Sequence, residues 1–148
     1  MIVTYLTECA IDAAELAAGV QAPDRGGVIS FLGLVRNHHG GRTVERLEYS
    51  AYAPMAESEC ARIITEARTR WPVAVAVQHR LGRLQVGDVA VCVVAASTHR
   101  DAAFEACRFV IDAVKARVPI WKREYYADGS AAWVDPTAPG GVQMASAP

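Results

Sequence analysis

Two prolines, Pro72 and Pro119, each separate a stretch with helical periodicity from the strand-like run that follows it. Apolar side chains recur at helical spacing over 54–71 before Pro72, and again from Thr98 towards Pro119. Proline inside a helix removes a hydrogen bond and clashes with the preceding turn, so each helix is expected to end there. Strand-like runs occupy 2–7, 28–35, 43–52, 73–80, 89–96, 120–126 and 131–134. The chain therefore has to pack long helices against a sheet.

The order of these elements predicts an α+β fold, with a mixed, largely antiparallel sheet and about three helices, because no regular βαβ rhythm is present. The third helix is short, from Asp12, which can cap it, to Gly19. The run 28–35 is apolar on both faces and predicts a central strand, whereas 37–42 is rich in turn residues and predicts an exposed, mobile loop. We expect a single domain over 1–136 and a disordered small-residue tail over 137–148.

Composition and sequence patterns exclude several classes of function for this chain. A net charge of −1 argues against a broad surface for nucleic acid or an anionic membrane. The N-terminus lacks the pattern of a signal peptide and no apolar run is long enough to span a bilayer, so a cytoplasmic location is expected. The four cysteines lack metal-site spacing and are expected to be reduced thiols, mostly in the core. No glycine-rich nucleotide loop is present.

The use of lysine is the most informative feature of the charge pattern. Of 15 cationic residues only Lys115 and Lys122 are lysine. Lysine can release a proton or act as a nucleophile, and arginine cannot. Lys115 could equally form an ordinary ion pair with Asp112, three residues earlier in the helix. Strand alternation places Lys122 on an apolar face, where its amine either reaches for solvent or is held in a reactive state.

Three further residues could bind an anion. His99 and Arg100 lie in the first turn predicted for the last helix, where free N–H groups and the helix dipole favour negative charge. Arg100 could instead pair with the neighbouring Asp101. Arg36 follows an apolar strand and either reaches into a cleft or simply ends that strand. The side chains of the adjacent residues His38 and His39 would point in different directions in a strand, and no carboxylate or cysteine completes a ligand set. We therefore expect a solvated loop and no metal site.

Five ordered motifs together resemble the large, catalytic subunit of the molybdopterin synthase family, and the resemblance spans about residues 2 to 135. The motifs are GVISFLGLVRNH (27–38), LEYSAY (47–52) with Met55-Ala56, HRLGRL (79–84) with VGD (86–88), HRDAAF (99–104), and DAVK (112–115) leading to PIWKRE (119–124). Five motifs in one order are far more specific than any one of them.

The resemblance implies an α/β-hammerhead fold and an activity. The family converts cyclic pyranopterin monophosphate to molybdopterin by installing a dithiolene. The sulfur comes from the thiocarboxylated C-terminal glycine of a small ubiquitin-like partner subunit with a Gly-Gly end, so no resident cofactor is expected. A homodimer of large subunits flanked by two small ones is the expected heterotetramer.

The resemblance also assigns roles to individual residues. Lys115 and Lys122 match the catalytic lysines, and Arg36, His99 and Arg100 match the pocket for the pterin and its phosphate. Phe31 and Arg123 are further candidates for that pocket. The tail lacks the basic residue expected shortly after 133–136, and Gly140-Gly141 is internal, so it does not indicate a fused sulfur carrier. The alternative is a non-catalytic α+β anion-binding or assembly module on the same scaffold.

Overall fold

The structure is a computed structural model that describes residues 4–135 and the backbone of 142–144. Its elements, in chain order, are β1 (Leu6–Thr7), α1 (Ala13–Gly19), β2 (Gly27–Leu34), β3 (His38–His39), β4 (Arg42–Ala51), α2 (Ala53–Arg70), β5 (Val73–Arg80), β6 (Gly82–Gln85), β7 (Val89–Ser97), α3 (Arg100–Arg117), β8 (Ile120–Tyr126), β9 (Ala131–Asp135) and β10 (Val142–Met144). The predicted α+β fold with three helices is confirmed.

The first sheet has the strand order β1-β5-β7-β2 and is covered on both faces. Along β7, Val91, Val93 and Ala95 belong to the main hydrophobic core with α2 and α3. The alternate residues Cys92 and Val94 pack on the opposite face beneath α1. Because successive side chains of a strand point to opposite faces, β7 can join two cores only by being apolar throughout.

The second sheet has the order β10-β9-β8-β4-β3, with β6 also paired to β4. Its inward side chains, among them Leu47, Leu84 and Tyr126, continue the main core. All strand pairs of the two sheets are antiparallel except the parallel pair of β1 with β5. This agrees with the predicted mixed, largely antiparallel arrangement.

The helices begin and end close to the predicted positions. The Asp12 side chain caps α1 by accepting a hydrogen bond from the Glu15 N–H at 3.0 Å, as expected. The start of α3 differs, since His99 rather than Thr98 is the N-cap residue and no side chain bonds the free N–H groups there. None of the helices in the described ranges is long and apolar enough to cross a membrane.

Two sequence predictions about strands are wrong within a single chain. The predicted central strand β2 lies at the edge of the first sheet. The predicted loop over 37–42 is a hairpin in which β3 pairs with β4. Gly40 and Gly41 form its two-residue turn with φ of 58° and 78°, a backbone conformation that glycine adopts without steric cost.

The predicted disordered tail, 137–148, is only partly described. Within it Val142–Met144 form β10, which pairs antiparallel with β9. The structure therefore differs from the prediction of disorder at these three positions. The other residues of the tail lie outside the described residues. The small-residue composition did not indicate this pairing of β10 with β9.

Candidate active site

Lys115 lies in the last turn of α3, on a helix end that is held firmly against α2. Arg117, two residues further on, pairs with Glu59 and Glu66 of α2. The expected partner of Lys115, Asp112, pairs instead with Arg108 at 3.1 Å. The ordinary ion-pair reading of Lys115 therefore does not hold in this structure.

The surroundings of Lys115 favour its neutral amine. Burial against the neighbouring strands lowers the pKa of Lys115, and the positive charges of Lys122 and Arg36 lower it further. Part of the side chain is still exposed. Three of the predicted site residues, from α3, β8 and the segment after β2, are thus brought into electrostatic contact, and together they form a cationic cluster around a potential proton carrier.

Lys122 has a partner that the sequence analysis missed. Its Nζ lies 3.4 Å from Oε2 of Glu124, whose side chain is only 2% exposed. Oε1 of Glu124 accepts hydrogen bonds from His39 Nδ1 at 2.7 Å and from the Tyr126 hydroxyl at 2.9 Å. Burial alone would raise the pKa of Glu124, but the His39 bond, the Lys122 charge and the Tyr126 bond hold it below its ordinary value. Lys122 therefore faces a buried carboxylate rather than a purely apolar surface.

A small cavity of about 20 Å³ lies beside Lys115, lined also by Tyr49 and His79 among others. Its size suits about one water molecule. His79 Nδ1 donates to the Arg80 carbonyl at 2.9 Å, and its ring meets Tyr49 edge-on at 4.9 Å between centroids. Burial lowers the pKa of His79 to about 4, with Lys115 adding to the effect, whereas burial raises that of Tyr49 to about 12. Both rings are neutral at physiological pH.

His99 and Arg100 lie at the opposite end of α3 from Lys115. Fifteen residues of helix separate Arg100 from Lys115, which corresponds to about 22 Å at 1.5 Å per residue. Both are exposed, and the α3 N-terminus carries no side-chain cap. Gly27 of β2 lies directly beneath it, since a Cβ there would be 3.1 Å from the Arg100 Cα. One chain therefore brings Arg36, but not His99 and Arg100, to the lysines.

The two further pocket candidates, Phe31 and Arg123, have their described contacts elsewhere than at the lysines. Phe31 is in the middle of β2 and 39% exposed, and its ring lies over Gly33, where a Cβ would be 3.5 Å from Phe31 Cε1. Arg123 points to the other face of β8, where its guanidinium lies 5.2 Å from the Tyr125 ring centroid. Their assignment to the pocket remains a prediction.

Glu124, His39, His79 and Tyr49 are the site neighbours that sequence reasoning did not select. The only available signal was strand alternation, which places Glu124 on the same face as Lys122. No group of His, Cys, Asp and Glu within the described residues could hold a metal ion. The fold and the cluster together define the class of protein: a single-domain α+β protein with a cluster of cationic side chains around a lysine of lowered pKa.

Comparison with known proteins identifies the family of this chain. A family model described as MoaE protein matches residues 6–117. A Thermoplasma volcanium molybdopterin synthase catalytic subunit is 42% identical over 136 residues, covering 90% of this chain and 99% of its own. A Bos taurus relative of the same name is 45% identical over 120 residues, covering 80% of this chain, and the match spans only 64% of the bovine protein.

The crystal structure of a molybdopterin synthase from Staphylococcus aureus superposes with a TM-score of 0.85 at 35% identity, covering 90% of this chain and 97% of that one. The chain belongs to the MoaE protein family. The family predicted from the five motifs is confirmed.

Proposed function

We propose that this chain is the catalytic subunit of a molybdopterin synthase. It transfers sulfur from the thiocarboxylated C-terminal glycine of a small ubiquitin-like subunit to cyclic pyranopterin monophosphate, which forms the molybdopterin dithiolene. The observation that carries the proposal is the lowered pKa of Lys115 beside Lys122 and Arg36. Two amines and a guanidinium suit a reaction between an anionic sulfur donor and a phosphorylated substrate.

Each residue of the cluster then has a chemical task. The thiocarboxylate sulfur forms a C–S bond with a carbon of the pterin side chain while the C–O bond between that carbon and the cyclic phosphate breaks. The phosphate ring opens and stays on the product as a monoester, and Lys115 accepts or donates the proton that this step moves. Water later hydrolyses the resulting acyl–sulfur bond, leaving the sulfur on the pterin and a carboxylate on the partner. Lys122, held by Glu124, and Arg36 orient the two anions. The sulfur comes with the partner, so the reaction needs no resident cofactor.

The site is completed by a second copy of the chain. Strand β2 is apolar on both faces, as a central strand would be, yet it lies at a sheet edge with four exposed hydrophobic side chains. Those side chains are Val28, Phe31, Leu32 and Leu34. Pairing of two β2 strands would make β2 central and cover this surface, which supports the expected homodimer.

Pairing of this kind also brings the separated residues together. Antiparallel pairing of the whole of β2 with its copy places Gly27 of one chain opposite Leu34 of the other. Arg100 lies directly on Gly27, and Arg36 follows Leu34 by two residues. The uncapped α3 N-terminus of one copy, with His99 and Arg100, would then bind the phosphate next to the lysines of the other. We place the reaction in the cytoplasm, consistent with the free thiols of the chain.

Substitution of Lys115 tests the proposed reaction. With a thiocarboxylated small subunit and cyclic pyranopterin monophosphate, Lys115→Ala is expected to lower product formation by about a hundredfold or more. Lys115→Arg keeps the charge but cannot release a proton, so we expect it to fail as well. Arg62→Ala, in an exposed pair with Glu59, is the control and should keep full activity. Unchanged product formation by Lys115→Ala would refute catalysis by this amine. No product formation by the wild-type chain would favour the non-catalytic anion-binding module.

A further inference from the structure

The two carboxylate oxygens of Glu124 have different partners. Oε2 faces the Lys122 amine at 3.4 Å. Oε1 accepts from His39 and from the Tyr126 hydroxyl, at 2.7 and 2.9 Å. With three donors around a side chain that is 2% exposed, the carboxylate has little freedom to rotate. The direction of Oε2, and with it the position of the Lys122 amine, is therefore set by the donors on Oε1.

Of the two hydrogen bonds to Oε1, the one from His39 joins residues that are far apart in the sequence. It joins residues 85 positions apart, whereas Tyr126 lies two residues from Glu124 on the same strand. An ionised carboxylate only accepts hydrogen bonds, so Nδ1 of His39 carries the proton. His39 reaches Glu124 because the turn at Gly40 and Gly41 folds β3 onto β4.

A second residue of the hairpin fixes the same region. Arg42, opposite His39 in the β3–β4 pair, lies over the Tyr126 ring at 3.6 Å from its centroid. The hairpin therefore contacts Glu124 through His39, and it contacts Tyr126, the other donor to Oε1, through Arg42. It also follows Arg36 directly along the chain, so it joins two parts of the cationic cluster.

We propose that His39 is a positioning residue for Lys122: by donating to Oε1 of Glu124 it fixes the carboxylate that holds the lysine amine in the site. The inference rests on the proposed function for its catalytic consequence. Its structural content, the dependence of the Lys122 position on His39, can be tested without the reaction.

Three variants separate positioning from general effects on the hairpin. His39→Ala removes the donor and is expected to lower kcat about tenfold, because small misplacements of a reacting group have large effects on rate. His39→Asn carries an amide N–H close to the position of Nδ1 and should recover most of the loss. Thr43→Ala alters an exposed residue of the same hairpin and should behave as wild type. Equal loss in the Ala and Asn variants, or none in His39→Ala, would overturn the proposal.

The second readout uses the rarity of lysine. With only two lysines, a chain labelled with ¹³C-lysine gives two side-chain NMR signals, which Lys122→Arg assigns. The Lys122 signal should shift in His39→Ala, return towards its wild-type position in His39→Asn and stay in place in Thr43→Ala. An unmoved Lys122 signal in a folded His39→Ala chain would refute the inference whether or not the chain makes molybdopterin. If the Lys122 signal shifts in His39→Ala but the wild-type chain has no synthase activity, the proposed function alone is refuted.

Discussion

Two lysines, seven residues apart, have opposite surroundings. Burial of the Lys115 amine lowers its pKa, and the two nearby cations, Lys122 and Arg36, lower it further. Lys122 is next to a buried carboxylate at 3.4 Å. Burial and nearby cations favour the neutral amine of Lys115, whereas the ion pair with Glu124 holds the Lys122 amine in place. This difference supports Lys115 as the proton carrier and Lys122 as the residue that orients the anions.

His79 makes the stability of the protein depend on pH. Its folded pKa of about 4 lies below the ordinary value of 6.5, so the unfolded chain binds a proton first as the pH falls. The stabilisation is complete above pH 6.5 and is lost on acidification towards pH 4. Between pH 7 and pH 5 this residue should lower the free energy of unfolding by about 2 kcal/mol.

Urea unfolding at the two pH values measures this effect. In His79→Asn the decrease between pH 7 and pH 5 should be smaller than in the wild type by about 2 kcal/mol, whatever its absolute stability. His38→Asn, at an exposed position, should keep the wild-type decrease. The same decrease in His79→Asn and the wild type would show that His79 does not titrate as its burial requires.

At the level of elements, local patterns predicted the helices and long-range pairing limited the rest. Asp12 and Pro54 are signals that act within a few residues, so α1 and α2 lie where the sequence places them. The hairpin over 38–43 was missed because its two glycines also suit a loop. The Glu124 network was missed because its donors come from β3 and β8, whose pairing through β4 is not visible in either segment alone.

The turn of this hairpin should be sensitive to a single methyl group. Gly41 has a φ of 78°, so Gly41→Ala should lower the free energy of unfolding by about 1 kcal/mol. Gly19 ends α1 with no atom within 4 Å of an added Cβ, so Gly19→Ala is the control and should be neutral or stabilising. Thermal or urea unfolding measures both, and equal effects would contradict the turn geometry.

At the level of the whole molecule, the separation of Arg100 from Lys115 determines what an active unit is. Within one chain the proposed phosphate site and the lysines lie at opposite ends of α3. In the proposed dimer, a second copy paired through β2 would remove the separation and cover the exposed apolar side chains. The motifs could identify these residues together, but the sequence alone could not show that Arg100 and Lys115 lie at opposite ends of α3 within one chain.

Mixing of inactive variants tests the shared site. If Arg100 of one copy serves Lys115 of the other, half of the randomly mixed dimers of Lys115→Ala and Arg100→Ala contain one intact site of two. Product formation should then recover to about a quarter of the wild-type value. Lys115→Ala mixed with Lys122→Ala is the control and should stay inactive, because both lesions affect the same half of a site. No recovery in the first mixture would refute a site shared in this way.

If two chains pair through the exposed apolar edge of β2 as proposed, the rate of catalysis depends on the protein concentration. When each site is built from halves that belong to different molecules, separated subunits hold no working site, however well each is folded. At high dilution the rate would fall with the square of the amount of protein, and the cell would control synthase activity through subunit abundance more steeply than through an enzyme that works alone.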